Sequence, residues 1–329
     1  MQTEFKQYIK MVGRGQRAGE LLNKEQAFDA MQQMLEDKVS PEQLGAFLML
    51  MRVREETAEE LAGFVEACRT TVQSEFTELN IDLDLGCYAG KRRHLPWFLL
   101  AVMAFAQSGR RVFIHGTAEP ESQRLYVKEA LQFFGIEPAT NKQSAEQQLN
   151  KFGFCYVELA DLNKPLDKLI QLRALFGLRS AANTLARMLN PSKAKHSLHG
   201  VHHRNFDIRH VDAAQMCNDA SVVCFRGEGG EVEFNPEREV TLHYFKQGQK
   251  GELKMPALLE NWQIKPRELD LAQLQQVWLN QVDNNYAEQA VIGTLAIFLL
   301  TTDAVATVEE AIQRAKDIWQ HRSATWPLG

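Results

Sequence analysis

The apolar period of this chain changes once, near Leu79, and that change constrains the fold more than any single motif. Before it, apolar residues recur at helical spacing: Phe28, Met31, Met34 and Leu35, then Leu44, Phe47, Leu48 and Met51. Ser40-Pro41-Glu42 offers an N-cap with proline at the first helical position, and Thr57-Ala58-Glu59-Glu60 fits a capping box. After it, short β-prone runs (81–85, 111–115, 154–159 and 221–225) alternate with amphipathic segments of helical length at 96–107, 121–134, 165–176, 180–189, 286–300 and 308–320. The expectation is an α/β protein: a helical domain over 1–75 and a larger α/β domain over 76–329, with the helices near 165–190 packing back on the first. A chain of 329 residues, 45% apolar, can fill two such cores. The stretch 231–243, β-branched but containing Pro236, reads as a strand pair or a lid.

Several classes fall away. The apolar stretch 290–300 is well short of the roughly 20 residues that span a bilayer. The first six residues carry charge with no apolar segment behind it, unlike a secretion signal, so a cytoplasmic protein without a membrane partner is expected. Cys68, Cys87, Cys155, Cys217 and Cys224 are odd in number and scattered, which predicts buried free thiols rather than a disulfide framework or zinc knuckle.

The net charge of −5 conceals a segregation. No acid occurs from Gly86 to Ala118, where Lys91, Arg92, Arg93, Arg110 and Arg111 stand, nor from Lys168 to Phe206, where Arg173, Arg179, Arg187, Lys193, Lys195 and Arg204 join Lys168. Removing these twelve positive charges from the total of −5 leaves the other 257 residues at −17. Local field rather than net charge steers an anionic ligand. The densest run of bases, Lys193 to His210, also holds five of the nine histidines: His196, His199, His202, His203 and His210. Phosphate contact, strengthened as histidines charge toward pH about 6, is favoured there over a metal site, because no helical H-E-x-x-H or cysteine partner accompanies them. Tyr88 and Trp97 are either base-stacking platforms or core residues.

The segment Leu172 to Arg179, followed by Asn183 and Leu189-Asn190-Pro191, closely resembles the arginine-rich helix of anthranilate phosphoribosyltransferases. Leu44 to Leu48 and Arg52 to Glu60 resemble that family's dimer-forming helical domain, so the resemblance spans almost the whole chain. It implies a helical domain beside an α/β domain with a central, mostly parallel sheet, as in the nucleoside phosphorylases. The family's glycine-rich phosphoribosyl pyrophosphate loop corresponds to Gly86-Cys87-Tyr88-Ala89-Gly90-Lys91, with Tyr88 in place of a glycine. Of its K-H-G-N motif His115-Gly116 remains, and the serines that follow have become 119–123. The magnesium-binding Asp-Glu pair is reduced to Glu233, or Glu231, after Gly227 to Gly230. Arg173 matches an arginine used near anthranilate, and Arg187 replaces a proline. The vestigial diphosphate site is therefore Gly86, Gly90, His115 and Gly116.

This pattern is similar to a divergent branch of the family, which binds nucleic acid instead of making tryptophan precursors. The resemblance implies a homodimer formed through the helical domain, and the two basic stretches point to single-stranded DNA or RNA held with little sequence preference through Lys91, Arg92, Arg93, Arg187, Lys193, Lys195, His202, His203 and Arg204. Whether it is an enzyme stays open at this point. The alternative is a pentosyltransferase using phosphoribosyl pyrophosphate and Mg, with an unusual acceptor and Glu233 holding the metal.

Overall fold

A computed structural model describes residues 4–15, 19–120, 122–264, 266 and 268–328. Four helices open the chain: α1 (Phe5–Val12), α2 (Lys24–Leu35), α3 (Pro41–Arg54) and α4 (Ala58–Thr70). Asn23, Ser40 and Thr57 each form a reciprocal capping box at the start of α2, α3 and α4, with Pro41 at the first position of α3. These boxes satisfy donors that the first helical turn otherwise leaves unpaired. The periodic residues Met31, Met34, Leu35, Phe47, Leu48 and Met51 are buried, with Phe28 and Leu44 packed at their edge.

The remainder runs β1 (Leu83–Cys87), α5 (Phe98–Gln107), β2 (Val112–Gly116), α6 (Val127–Phe133), α7 (Lys142–Phe152), β3 (Phe154–Glu158), α8 (Leu159–Leu162), α9 (Lys164–Gln171), α10 (Arg173–Phe176) and α11 (Ala182–Ala186). Then follow β4 (His196–Val201), α12 (Phe206–Met216), β5 (Ser221–Arg226), β6 (Val240–Lys246), β7 (Gln249–Met255), α13 (Ala272–Trp278), α14 (Asn285–Thr301) and α15 (Val308–Gln320). Seven strands form one sheet in the order β3-β2-β1-β4-β5-β6-β7, parallel from β3 to β5 and antiparallel from β5 to β7. Burial on both faces explains the near-continuous apolar character of the parallel strands. The apolar core of the helical domain also takes Leu166, Leu169, Ile170, Leu185 and Leu189, so α9, α11 and the turn after it share that core.

Two expectations need correction. The segment 121–134 is helical only from Val127, because Leu125 forms an antiparallel bridge with Lys91 that keeps the chain extended; Glu121 itself lies outside the described residues. The segment 231–243 is not a strand pair. Pro236 lies in a loop, and β6 pairs instead with β7, whose alternating charges make it a polar edge strand with little apolar signal. No helix among the described residues is long and apolar enough to cross a membrane. All five cysteines are free, and only Cys217 is less than fully buried.

Strand order reverses between β1 and β4: the chain leaves β1 toward β2 and β3, and leaves β4 toward β5. In an open parallel sheet the loops at the carboxyl ends of such strands diverge and leave a crevice. Here those loops follow Cys87, Gly116, Val201 and Arg226, and α3, α10 and α11 close the crevice from the other side.

Candidate nucleic-acid interface and the cleft behind it

On the floor of the crevice, carboxylates of the same chain already hold the backbone N–H groups of Ala89 and Gly90, Lys91, Arg173 and Arg179. Ala89 and Gly90 donate their N–H groups to Glu231 Oε1 at 2.8 and 2.5 Å. Gly90 has φ +69°, and an added Cβ would lie 2.9 Å from both Arg124 and Tyr126, so only glycine turns the chain this way. Gly86 is retained for a different reason: a Cβ there would meet the backbone of Arg187 at 2.8 Å. Beyond this loop, Glu233 accepts from Lys91 Nζ at 2.6 Å and from the Phe98 N–H, at the start of α5, at 2.9 Å. Helix starts attract anions, and this one holds a side chain.

A third carboxylate, Glu119, fills the arginine-rich helix region. Arg173 Nη1 reaches it at 2.9 Å, Arg179 Nη2 at 2.6 Å, Asn183 Nδ2 at 2.5 Å and the Tyr126 hydroxyl at 3.1 Å. Arg173 is thus an ion-pair partner within the chain. His115 is fully buried, with Nδ1 2.7 Å from the Tyr88 hydroxyl and Nε2 3.4 Å from Asp84. Burial pushes the Tyr88 hydroxyl well above its ordinary pKa, so it stays protonated beside His115.

A magnesium–diphosphate group does not fit these residues. Glu231 is held by two backbone donors, Glu233 by a lysine and a helix start, and no second carboxylate adjoins either in sequence. Burial, only partly offset by Lys91, raises the Glu233 pKa to about 7. Its expected role as a metal ligand is corrected accordingly: the Lys91 ammonium already pairs with this carboxylate.

The mouth of the crevice is different. A cavity of about 280 Å³ is lined by Arg92, Arg93, Arg124, His202, Arg226 and Arg238. It adjoins a second cavity, of about 360 Å³, through the shared residues Arg124, His202 and Gly229. Arg92, Arg93, His202, His203, Arg204 and Arg238 are exposed, and none of these six makes an ion pair within 4 Å among the described residues. Arg124 donates to the carbonyls of Ala89 and Gly90 and remains half-exposed.

The two acid-free stretches therefore do not make one surface. Lys91 is 3% exposed and faces Glu233, so it does not belong to the contact set expected for it. Lys193 and Lys195 are exposed but precede β4, at the amino end of the strands, together with Arg110 and Arg111 ahead of β2. One strand length, roughly 17–20 Å for six residues, separates them from the mouth. Tyr88 and Trp97 are core residues, 0% and 3% exposed, and offer no stacking face. Of the five clustered histidines, His196, His199 and His210 are buried, and desolvation holds all three below the usual imidazole pKa. The same cause lowers His202 at the rim, so the strengthening expected as pH falls toward 6 is not carried by these four. His199, His210 and Cys224 bring one ligand atom each within 4.8 Å of one another, a cysteine partner that sequence spacing did not disclose.

Arg124, Arg226 and Arg238 were not visible as charge clusters, because acids flank them in sequence. A different signal existed: Arg226 directly ends a β-prone run, and the carboxyl ends of parallel strands are where ligands bind.

Comparisons with known proteins bear on the fold. The helical bundle domain of the glycosyl transferase family matches residues 6–72. The anthranilate phosphoribosyltransferase of Geobacillus sp. is 22% identical over 317 residues, 93% of this chain and 92% of that protein. The crystal structure of the Thermus thermophilus anthranilate phosphoribosyltransferase superposes with a TM-score of 0.76 at 18% identity, covering 96% of this chain and 94% of that one. The chain is thus similar in sequence to anthranilate phosphoribosyltransferases and shares their fold. The Saccharomyces cerevisiae anthranilate phosphoribosyltransferase in complex with PRPP and Mg aligns with a TM-score of 0.73 at 16% identity, over 96% of this chain and 93% of that one. The uncharacterized protein YbiB of Escherichia coli is 25% identical over 245 residues, 71% of this chain and 74% of its own length. The expected fold, a helical domain beside an α/β domain with a mostly parallel sheet, is what the Thermus thermophilus structure shares with this chain.

Proposed function

We propose that this protein binds nucleic acid, as a divergent, non-enzymatic member of its family, and that it does so at the mouth of the crevice rather than on its floor. The observation that carries this reading is the contrast in pairing. Glu119, Glu231 and Glu233 occupy the inner anion positions, whereas Arg92, Arg93 and Arg238 at the mouth stand exposed without acid partners among the described residues. A polyanion gains most from cations that are not already neutralised. Guanidinium groups spread along a groove suit successive phosphates, which position a strand without reading its sequence. With Tyr88 and Trp97 buried, affinity rests on phosphate contact, and little preference among sequences follows. Phosphoribosyl transfer, the alternative, would need those same inner positions for diphosphate and metal.

The family resemblance suggests a homodimer through the helical domain. In its support, Val53 on α3 and Leu175 on α10 are 84% and 81% exposed, and the two helices approach each other at Gly45 and Phe176. Two mouths in one dimer let a single strand engage both.

The test is fluorescence anisotropy of a labelled single-stranded oligonucleotide at two salt concentrations, with phosphoribosyl pyrophosphate and Mg²⁺ as competitor. The expected result is salt-sensitive binding that the competitor does not displace. Absence of binding at low salt, together with heat on titrating phosphoribosyl pyrophosphate and Mg²⁺, would return the crevice to small-molecule chemistry.

A further inference from the structure

Arg187 is the cation the crevice leaves least explained. It follows α11, is 8% exposed, and donates from Nη1 to the carbonyl of Asn183, while its Nε has no partner. No carboxylate of the described residues lies within ion-pair distance of it; Glu231 and Glu119 act on it only from farther away and are held by other donors. Guanidinium keeps its proton in proteins, so this is a buried, unpaired positive charge. Such a charge is strongly unfavourable unless an anion completes it. Arg187 lines the 360 Å³ cavity, and so does His210, 0% exposed, whose Nε2 is likewise unpartnered. Ser180, Thr184 and His203 add polar groups to the wall, and Val201 and Phe206 add apolar surface. The nearby His199, His210 and Cys224 would suit a metal by residue type, but the Arg187 charge beside His210 sets the opposite sign for the ligand.

We propose that this cavity is a phosphomonoester site, anchored by Arg187 and His210, that receives a terminal phosphate. The inference rests on the nucleic-acid reading for its natural source, the 5′-phosphorylated end of a strand whose remainder lies along the arginine rim. A dianionic monoester brings the charge that Arg187 lacks and acceptors for both orphaned nitrogens. An internal phosphodiester, with chain on both sides, cannot enter a cavity of this size end-on. Its volume falls in the range of small-molecule sites, enough for one nucleotide.

The experiment uses the full-length protein, Arg187→Met and His210→Gln. Affinity for one single strand is measured with a 5′-phosphate and with a 5′-hydroxyl, and melting temperature is recorded with and without inorganic phosphate at constant ionic strength. The wild type is expected to prefer the 5′-phosphorylated strand by about ten-fold, as one lost charge-assisted pair implies, and to be stabilised by phosphate. R187M should lose both effects yet melt at the same or a higher temperature without ligand, because an unpaired buried charge has gone. H210Q, which keeps the cavity's volume and polarity, should lose part of the preference. Stabilisation by phosphate or a nucleoside monophosphate with no preference between strand ends supports the site and assigns it to a free phosphorylated metabolite. Equal affinity for both ends with no effect of phosphate overturns the proposal, as does an R187M variant that melts lower while keeping the preference. If no oligonucleotide binds at all, the nucleic-acid reading fails separately, and the phosphate-dependent melting shift still decides this one.

Discussion

The floor of the crevice and its mouth hold similar numbers of cations in opposite electrical conditions. On the floor, Lys91, Arg173 and Arg179 are each within hydrogen-bond distance of a buried carboxylate. At the mouth, Arg92, Arg93 and Arg238 face solvent. Burial makes the difference: a cation taken from water needs a counter-charge, whereas one left in water can wait for a ligand. The positions where the family resemblance places phosphate chemistry are, in this chain, positions of internal structure.

The most severe way to break that comparison is to remove an inner carboxylate. Glu119→Ala leaves the partly buried Arg173 and Arg179 without their shared partner, which should cost about 1.5–3 kcal/mol of stability. Urea denaturation of the variant measures it. A loss under 1 kcal/mol would mean that the two arginines are free to serve a ligand after all, and the floor would no longer differ from the mouth.

Next in size is the mouth itself. Arg92→Ala, Arg93→Ala and Arg226→Ala combined should leave the melting temperature within a few degrees and weaken binding to every oligonucleotide alike. The slope of log affinity against log salt should fall by about 2, near 0.7 for each single-strand phosphate that the protein no longer neutralises. An unchanged slope would move the strand elsewhere on the surface. Lys91 is excluded from this set, since its removal would strand Glu233.

How far the sequence discloses such a division depends on the kind of signal. The capping boxes at Ser40 and Thr57, the strands β1, β2, β3 and β5 and the long helices α14 and α15 are legible, because local spacing and burial coincide there. β7 is not legible, since an edge strand with polar residues on both faces lacks the alternation that betrays strands. For the site, missing acids in the sequence gave a true account of composition and a misleading one of space. Glu119, Glu231 and Glu233 lie outside the acid-free runs, yet they neutralise residues within them or next to them. Arg124, Arg226 and Arg238 reach the mouth from acid-containing segments. Pairing is decided by strand order, and one-dimensional charge runs do not contain it.

A pH prediction sharpens the boundary between the two regions. Glu56, after α3, is 4% exposed and lines the larger cavity; burial raises its pKa from 4.5 to about 7, with Glu60 adding to the shift and its own backbone hydrogen bond opposing it. A carboxyl whose folded pKa is raised binds its proton more tightly in the native state. Its stabilising contribution is complete below about 4.5 and is lost as pH climbs to about 7. The protein should lose on the order of 2 kcal/mol from this group between those limits. Glu56→Gln should remove that part of the decline and be more stable than wild type at pH 8. Parallel stability curves for the two proteins across this range would show that Glu56 ionises as it does in water.

The smallest expected effect is the most diagnostic of strand topology. Lys193 and Lys195 lie in the more basic of the two acid-free stretches, and charge counting alone makes them the first residues to substitute. They precede β4, however, whereas His202, His203 and Arg204 follow it, so the strand itself holds the two groups at opposite edges of the sheet. At physiological salt the Debye length is about 8 Å, less than half that separation. Lys193→Ala with Lys195→Ala should therefore leave oligonucleotide affinity within two-fold and the salt slope unchanged, in titrations where the arginine variant at the mouth loses both. If the lysine pair proves as damaging as the arginines, the bound strand must run around the edge of the sheet from one end to the other, and the mouth would be one station on a longer path rather than the site.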